Sequence, residues 1–181
     1  LFVGNCETAT LDVHRAGCAY APNLCAAEST DDGLTWRRLC DIPQREGDPL
    51  GCYHEPHAVQ ARDGRIIVHI RNHGPADRRQ WGTLQSESSD GGRTFSAPRD
   101  IGLTGYPAHL LALRDGRLLT SYGYRLLPSG NRVALSEDNG RTWSAPMILD
   151  EKPIGRDLGY PATVELGDGS LLTVWYEKLP E

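Results

Sequence analysis

One short phrase occurs three times in this chain. It is Ser29-Thr30-Asp31-Asp32-Gly33-Leu34-Thr35-Trp36, then Ser88-Ser89-Asp90-Gly91-Gly92-Arg93-Thr94-Phe95, then Ser136-Glu137-Asp138-Asn139-Gly140-Arg141-Thr142-Trp143. The shared pattern is Ser-x-Asp-x-Gly-x-Thr-aromatic. The aspartate accepts hydrogen bonds from backbone amides of a tight turn, and the glycine tolerates positive φ. The aromatic ring anchors the outgoing strand by burial. Three copies between strand-like runs define an internal repeat, so the fold must be built from repeated units.

A second repeat is interleaved with the first. His54-Glu55-Pro56-His57-Ala58-Val59-Gln60-Ala61 leads to Asp63-Gly64 and then to residues 65–71. Tyr106-Pro107-Ala108-His109-Leu110-Leu111-Ala112-Leu113 leads to Asp115-Gly116 and residues 117–124. Tyr160-Pro161-Ala162-Thr163-Val164-Glu165-Leu166 leads to Asp168-Gly169 and residues 170–177. Each is a strand, an Asp-Gly hairpin turn and a second strand. Long amphipathic helical patterns are absent, and short apolar runs alternate with Gly, Pro, Asp and Asn. The chain is therefore expected to be all-β.

The triplicate phrase resembles the Asp-box, or BNR repeat, of the sialidase superfamily. The resemblance implies a partial six-bladed β-propeller in which each Asp-box closes the hairpin between third and fourth strands of a blade. Residues 54–101 and 106–149 then form complete four-stranded blades. Residues 1–42 form the later strands of a preceding blade, and 160–177 the first strands of a following one. About three blades are expected, roughly half a propeller. The first residue, Leu1, lies in a strand-like run, which reads as part of a longer polypeptide.

Antiparallel alternation places the chemistry. The Asp-Gly turns and the Asp-boxes fall on one face. The opposite face gathers Glu55, His57, Tyr106, His109, Tyr160, Arg71, Arg125, Arg132, Tyr176 and Glu177. By resemblance, Glu55 at the start of one blade and Arg71 at the end of its second strand match a sialidase glutamate and carboxylate-binding arginine. Arg132 is the preferred match for a later arginine, with Arg125 in reserve. Tyr160, in Gly159-Tyr160-Pro161-Ala162, matches the nucleophilic tyrosine. Tyr106 and His57 are further candidates for lining the substrate site.

These residue types suit an acidic sugar. Arginine forks bind a carboxylate bidentately. A neutral phenol activated by a neighbouring glutamate avoids the repulsion that an anionic nucleophile would meet. The resemblance implies an exo-α-sialidase-like hydrolase acting with retention on a sialylated glycan. It also places the proton-donating acid and a further arginine in an earlier blade. Two alternatives stay open: a non-catalytic Asp-box propeller that binds glycan or protein, and a propeller enzyme acting on another acidic sugar. Tyr106 shares its Gly-Tyr-Pro-Ala phrase with Tyr160, so either copy is a candidate for the special tyrosine.

Composition narrows the field further. The formal charge of −5 gives no basic footprint for nucleic acid. No apolar run reaches membrane-spanning length. No cofactor motif or metal-ligand spacing is present, and His54, His57, His69, His73 and His109 are read as polar lining or core residues. The five cysteines, Cys6, Cys18, Cys25, Cys40 and Cys52, would form one or two disulfides in an exported protein, or else remain buried thiols.

Overall fold

A computed structural model describes residues 2–6, 23–49, 51–73, 82–151 and 155–178. Among these residues there is no helix. Among the described residues thirteen strands form four antiparallel sheets. The first contains β1 (Phe2–Cys6), β2 (Asn23–Glu28) and β3 (Arg37–Ile42). The second contains β4 (Tyr53–Gln60), β5 (Ile66–Asn72), β6 (Thr83–Ser88) and β7 (Arg99–Asp100). The third contains β8 (Ala108–Ala112), β9 (Leu118–Tyr124), β10 (Gly130–Ser136) and β11 (Met147–Asp150). The last contains β12 (Leu158–Glu165) and β13 (Leu171–Glu177). Within each sheet the strands neighbour one another in chain order, as in propeller blades.

The turns are built alike. Gly64, Gly116 and Gly169 all have φ near the left-handed region, at 86°, 92° and 86°. The preceding aspartate of each turn accepts the backbone N–H two residues on, from Arg65, Arg117 and Ser170. The Asp-boxes are equally uniform. Asp31, Asp90 and Asp138 each accept the N–H and the hydroxyl of the threonine four residues on, with hydroxyl distances of 2.6 Å. The opening serine closes the loop from the other side: its hydroxyl donates to the aspartate and accepts the glycine N–H. These bonds hold the Asp31 and Asp138 carboxyls at about 2, and Asp90 lower still.

The sheets pack face to face through alternate residues of their strands. Val68 and Ile70 of β5 meet Leu24, Ala26 and Ile42 of the first sheet. Ile67 of the same strand turns the other way, towards Leu110 and Leu118 of the third sheet. With both faces covered, β5 reads as an almost unbroken apolar run, and Ile67, Val68 and Ile70 are fully buried. The aromatic residues ending the second and third Asp-boxes pack backwards onto the preceding sheet. Phe95 joins the cluster of the first two sheets. Trp143 packs on Ile67 and donates its indole N–H to Gln85 at 2.9 Å. Trp36 departs from the burial expected of it: it is 53% exposed and donates to Gly33 O within its own turn. No preceding sheet lies against it among the described residues.

Two histidines tie neighbouring sheets together. His57 Nδ1 of β4 accepts the backbone N–H of Leu110 in β8 at 3.2 Å. His109 Nδ1 of β8 accepts that of Thr163 in β12 at 3.4 Å. Acceptance requires the unprotonated nitrogen. Burial, reinforced by His109, pushes His57 down to about 4. Cys25 is disulfide-bonded, whereas Cys40 and Cys52 are free thiols. The side chains of Cys6 and Cys18 lie outside the described residues.

Candidate active site

The register places the candidate residues at opposite ends from the Asp-boxes. Arg71 pairs with Thr83 at one end of the β5–β6 ladder, and Ile66 with Ser88 beside the Asp90 turn at the other. The first strand of the second sheet and that of the last sheet each begin with an irregularity. In the second sheet His54 pairs with Arg71 and His57 with His69, leaving Glu55-Pro56 as the bulge. In the last sheet Gly159 pairs with Tyr176 and Ala162 with Val174, leaving Tyr160-Pro161. Glu55 and Tyr160 take left-handed backbone conformations, with φ of 45° and 50°. Such values are unusual for residues with a Cβ, and they mark positions held by the surrounding structure. Bulges re-aim side chains, and here two bulges aim two side chains at each other.

Glu55 and Tyr160 occupy the same slot of the repeat, each eight residues before the aspartate of its Asp-Gly turn. In the blade between them the slot holds Pro107. Tyr106 stands one position earlier, aligned with His54 and Gly159, and its N–H bonds Gly123 O at 2.8 Å. Tyr106 and Tyr160 are therefore not equivalent, although their phrases match.

The Tyr160 hydroxyl donates to Glu55 Oε1. Arg71 Nη1 donates to Glu55 Oε2 at 2.7 Å, and Arg71 Nε donates to His73 Nε2 at 2.6 Å. Burial first, then the Arg71 charge, pushes His73 down to about 4, so the ring is a neutral acceptor. The Arg71 guanidinium lies 4.4 Å from the Tyr106 ring centre, and that of Arg125 lies 5.3 Å from the same ring. Two cations thus lie close to one aromatic ring. Beside them opens a cleft of ≈ 350 Å³ lined by Arg71, Thr104, Tyr106, Arg125, Arg156 and Asp157. Asp157 accepts the Tyr176 hydroxyl at 2.7 Å, and the Tyr176 ring lies 5.9 Å from that of Tyr160. Partial burial, then the hydrogen bond and charge of Glu55, raise Tyr160 above the ordinary phenol range. At rest the hydroxyl keeps its proton, with Glu55 positioned to receive it.

Glu55, Arg71, Tyr106, Arg125 and Tyr160 therefore come together. Arg132 does not join them. Its Nη2 donates to Glu151 at 2.6 Å, and its guanidinium lies 4.8 Å from the Tyr124 ring centre, in a neighbouring cleft. Of the two arginines read from the sequence, Arg125 is the one on the Arg71 cleft. His57 borders a shallow groove below Glu55 and Tyr160, where its Nδ1 is occupied by Leu110. Arg156 escaped the sequence reading, because it sits in the irregular loop before β12, where no repeat fixes its position. Among the described residues no cluster of His, Cys, Asp and Glu is arranged to hold a metal ion.

Residues 21–173 match the BNR repeat-like domain. The chain belongs to that family. No curated protein matches the BNR repeat-like chain described here. Among solved structures, a protein of unknown function from Dyadobacter fermentans is similar at 29% identity with a TM-score of 0.75, covering 87% of this chain and 42% of that one. NanB sialidase from Streptococcus pneumoniae is similar at 20% identity and a TM-score of 0.62, covering 86% and 24%. The α-L-arabinanase of Penicillium chrysogenum is similar at 15% identity and a TM-score of 0.51, covering 68% and 41%. The BNR repeat-like chain thus spans less than half the length of each. These likenesses establish the all-β propeller fold, here as part of a propeller.

Proposed function

We propose that this chain carries one side of the active site of a glycoside hydrolase that releases a terminal acidic sugar, of the sialic acid type, with retention. The observation that carries the reading is the hydrogen bond from the Tyr160 hydroxyl to a Glu55 carboxylate that also accepts from Arg71. Glu55 takes the phenol proton as the oxygen attacks the anomeric carbon, which gives a covalent glycosyl–tyrosine intermediate. Water then hydrolyses it, and the proton returns from Glu55 to Tyr160. Arg71 and Arg125, joined by Arg156 along the cleft, supply positive charge for the substrate carboxylate. In this reading the acid that protonates the leaving oxygen comes from outside residues 1–181. The division into two complete and two partial blades, 54–101 and 106–149 with 1–42 and 160–177, belongs to the same proposal. Three cationic side chains around one cleft favour an acidic sugar over a neutral pentose.

The test uses the complete propeller and a fluorogenic sialoside. Tyr160→Phe keeps the ring and removes the attacking oxygen, so turnover falls by at least about 100-fold. Tyr106→Phe keeps the ring under Arg71 and retains most of the turnover. Full activity of Tyr160→Phe, or loss confined to Tyr106→Phe, would overturn the mechanism.

A further inference from the structure

His73 reaches the site through Arg71. A strand's period of two puts the side chains of Arg71 and His73 on one face. β5 ends at Asn72, but its ladder runs one residue further, because the His73 N–H donates to Cys52 O at 2.8 Å. The backbone under the ring is thus tied to the chain just before β4. The ring's Nε2 accepts from Arg71 Nε at 2.6 Å. Acceptance at Nε2 leaves the ring proton on Nδ1 and requires a neutral imidazole.

The surroundings enforce that neutrality. Burial opposes a positive charge on the ring most, followed by Arg71 of β5 and His54 of β4; Glu55 favours one, and Arg125, just after β9, opposes it. The rings of His54 and Tyr106 pack edge-on against His73, with centres 5.0 and 5.4 Å away. The same address in the next blade holds a cation. His73 and Arg125 each stand ten residues after the aspartate of their Asp-Gly turn, Asp63 and Asp115, and both lie near the Tyr106 ring. A lysine or arginine at position 73 would bring a like charge to Arg71 and no acceptor. Histidine brings a lone pair.

Arg71 is held on three sides. His73 takes Nε, Glu55 takes Nη1 at 2.7 Å, and the Tyr106 ring centre lies 4.4 Å from the guanidinium. Two hydrogen bonds at different corners of a planar ion fix its rotation, which one bond alone leaves free. The Arg71 side chain is only 12% exposed, so water is a poor substitute for a lost acceptor.

We propose that His73 is a positioning residue: through Nε it sets the plane of the Arg71 guanidinium, and with it the corner that Glu55 occupies and the donors left for a substrate carboxylate. The hold on Arg71 is independent of the catalytic reading. Its benefit to carboxylate binding rests on that reading.

The test uses the complete propeller and two variants. In His73→Gln the amide oxygen reaches the place of Nε2, and in His73→Asn the shorter amide does not. Side-chain NMR of Arg71 without ligand reads the hold: Nε–H exchange with water is slow in the parent and in His73→Gln, and at least about 10-fold faster in His73→Asn. Affinity for an unsaturated sialic acid analogue, measured by calorimetry, follows the same order, near the parent value in His73→Gln and about 10-fold weaker in His73→Asn. In an Arg71→Ala background the two variants bind the analogue equally, because nothing is left to hold. Equal Nε–H exchange in the two variants would overturn the proposal, as would equal analogue affinity while Arg71→Ala weakens it. So would an affinity difference that persists without Arg71, which is what a merely structural His73 would give. If Nε–H exchange depends on His73 as expected but Arg71→Ala leaves analogue affinity unchanged, the positioning stands and the carboxylate reading of Arg71 fails.

Discussion

Lowering the pH from 7 to 5 is expected to loosen the contacts between sheets through His57 and His69. His69 is fully buried and bonded on both ring nitrogens, to Thr120 at 3.1 Å and Gln85 at 3.2 Å. Burial pushes it down to about 3, and His57 to about 4, from an ordinary 6.5. Between these values and 6.5 the unfolded chain binds protons that the folded one refuses, so stability falls as the pH falls. At pH 5 each shift corresponds to about 2 kcal/mol relative to pH 7. His57 is only partly buried, and discounting it for solvent leaves about 1, for a total near 3 kcal/mol. The Asp-box carboxylates do not confuse the window. Asp31 and Asp138 lie at about 2 against an ordinary 3.8, so both are ionised in both states above pH 5. The assay is urea unfolding followed by tryptophan fluorescence at the two pH values. With a slope of about 2 kcal/mol per molar, the midpoint drops by at least about 1.5 M. In the double variant His57→Asn/His69→Asn the amide oxygens stand where the Nδ1 acceptors were, and they do not titrate. About 3 kcal/mol of the pH dependence should vanish in it. An unchanged midpoint in the parent chain, or an undiminished drop in the double variant, would refute the reasoning.

Two further outcomes follow from the geometry. A Cβ at Gly123 would lie 3.0 Å from Gly159 Cα and 3.1 Å from Tyr106 O, so Gly123→Ala must push two blades apart and should cost about 1–3 kcal/mol in thermal or urea unfolding. Gly167→Ala, which meets nothing within 4 Å, is the matched control and should stay within about 0.5 kcal/mol. Arg125→Ala should weaken binding of the unsaturated sialic acid analogue by about 1.5–3 kcal/mol, measured by calorimetry, whereas Arg132→Ala should leave that affinity nearly unchanged.

The fold was legible because its rules are local. The Ser-x-Asp-x-Gly-x-Thr phrase encodes its whole hydrogen-bond set within seven residues, and the Asp-Gly turns do the same within five. That Glu55, Arg71 and Tyr160 share one face was legible because antiparallel alternation fixes the end of the strand at which each stands, while their grouping as one site came from the resemblance. The exposure of Trp36 was not legible, because the phrase encodes the turn but not the neighbouring sheet that covers its counterparts Phe95 and Trp143. The sequence favoured Arg132 over Arg125, whereas Arg125 is the one that lines the Arg71 cleft. Both flank the same inter-strand loop, and what separates them is Glu151, which reaches Arg132 from beyond β11. The difference between Tyr106 and Tyr160 was present in the sequence, as nine residues against eight to the turn aspartate. The matching phrases masked it.

The bulge slot also bears on how such a site changes over time. Glu55, Pro107 and Tyr160 stand at one address repeated from blade to blade, and the bulges at Glu55 and Tyr160 aim the side chains they hold at each other beside Arg71. The scaffold behind that address, with its Asp-boxes, Asp-Gly turns and histidine ties, does not depend on which residue is presented. A single substitution at the address can therefore exchange an acid, a phenol or an inert ring while the sheets remain as they are. Proteins of this architecture can diverge in chemistry much faster than in shape, and likeness of backbone is a poor guide to what each of them cleaves or holds.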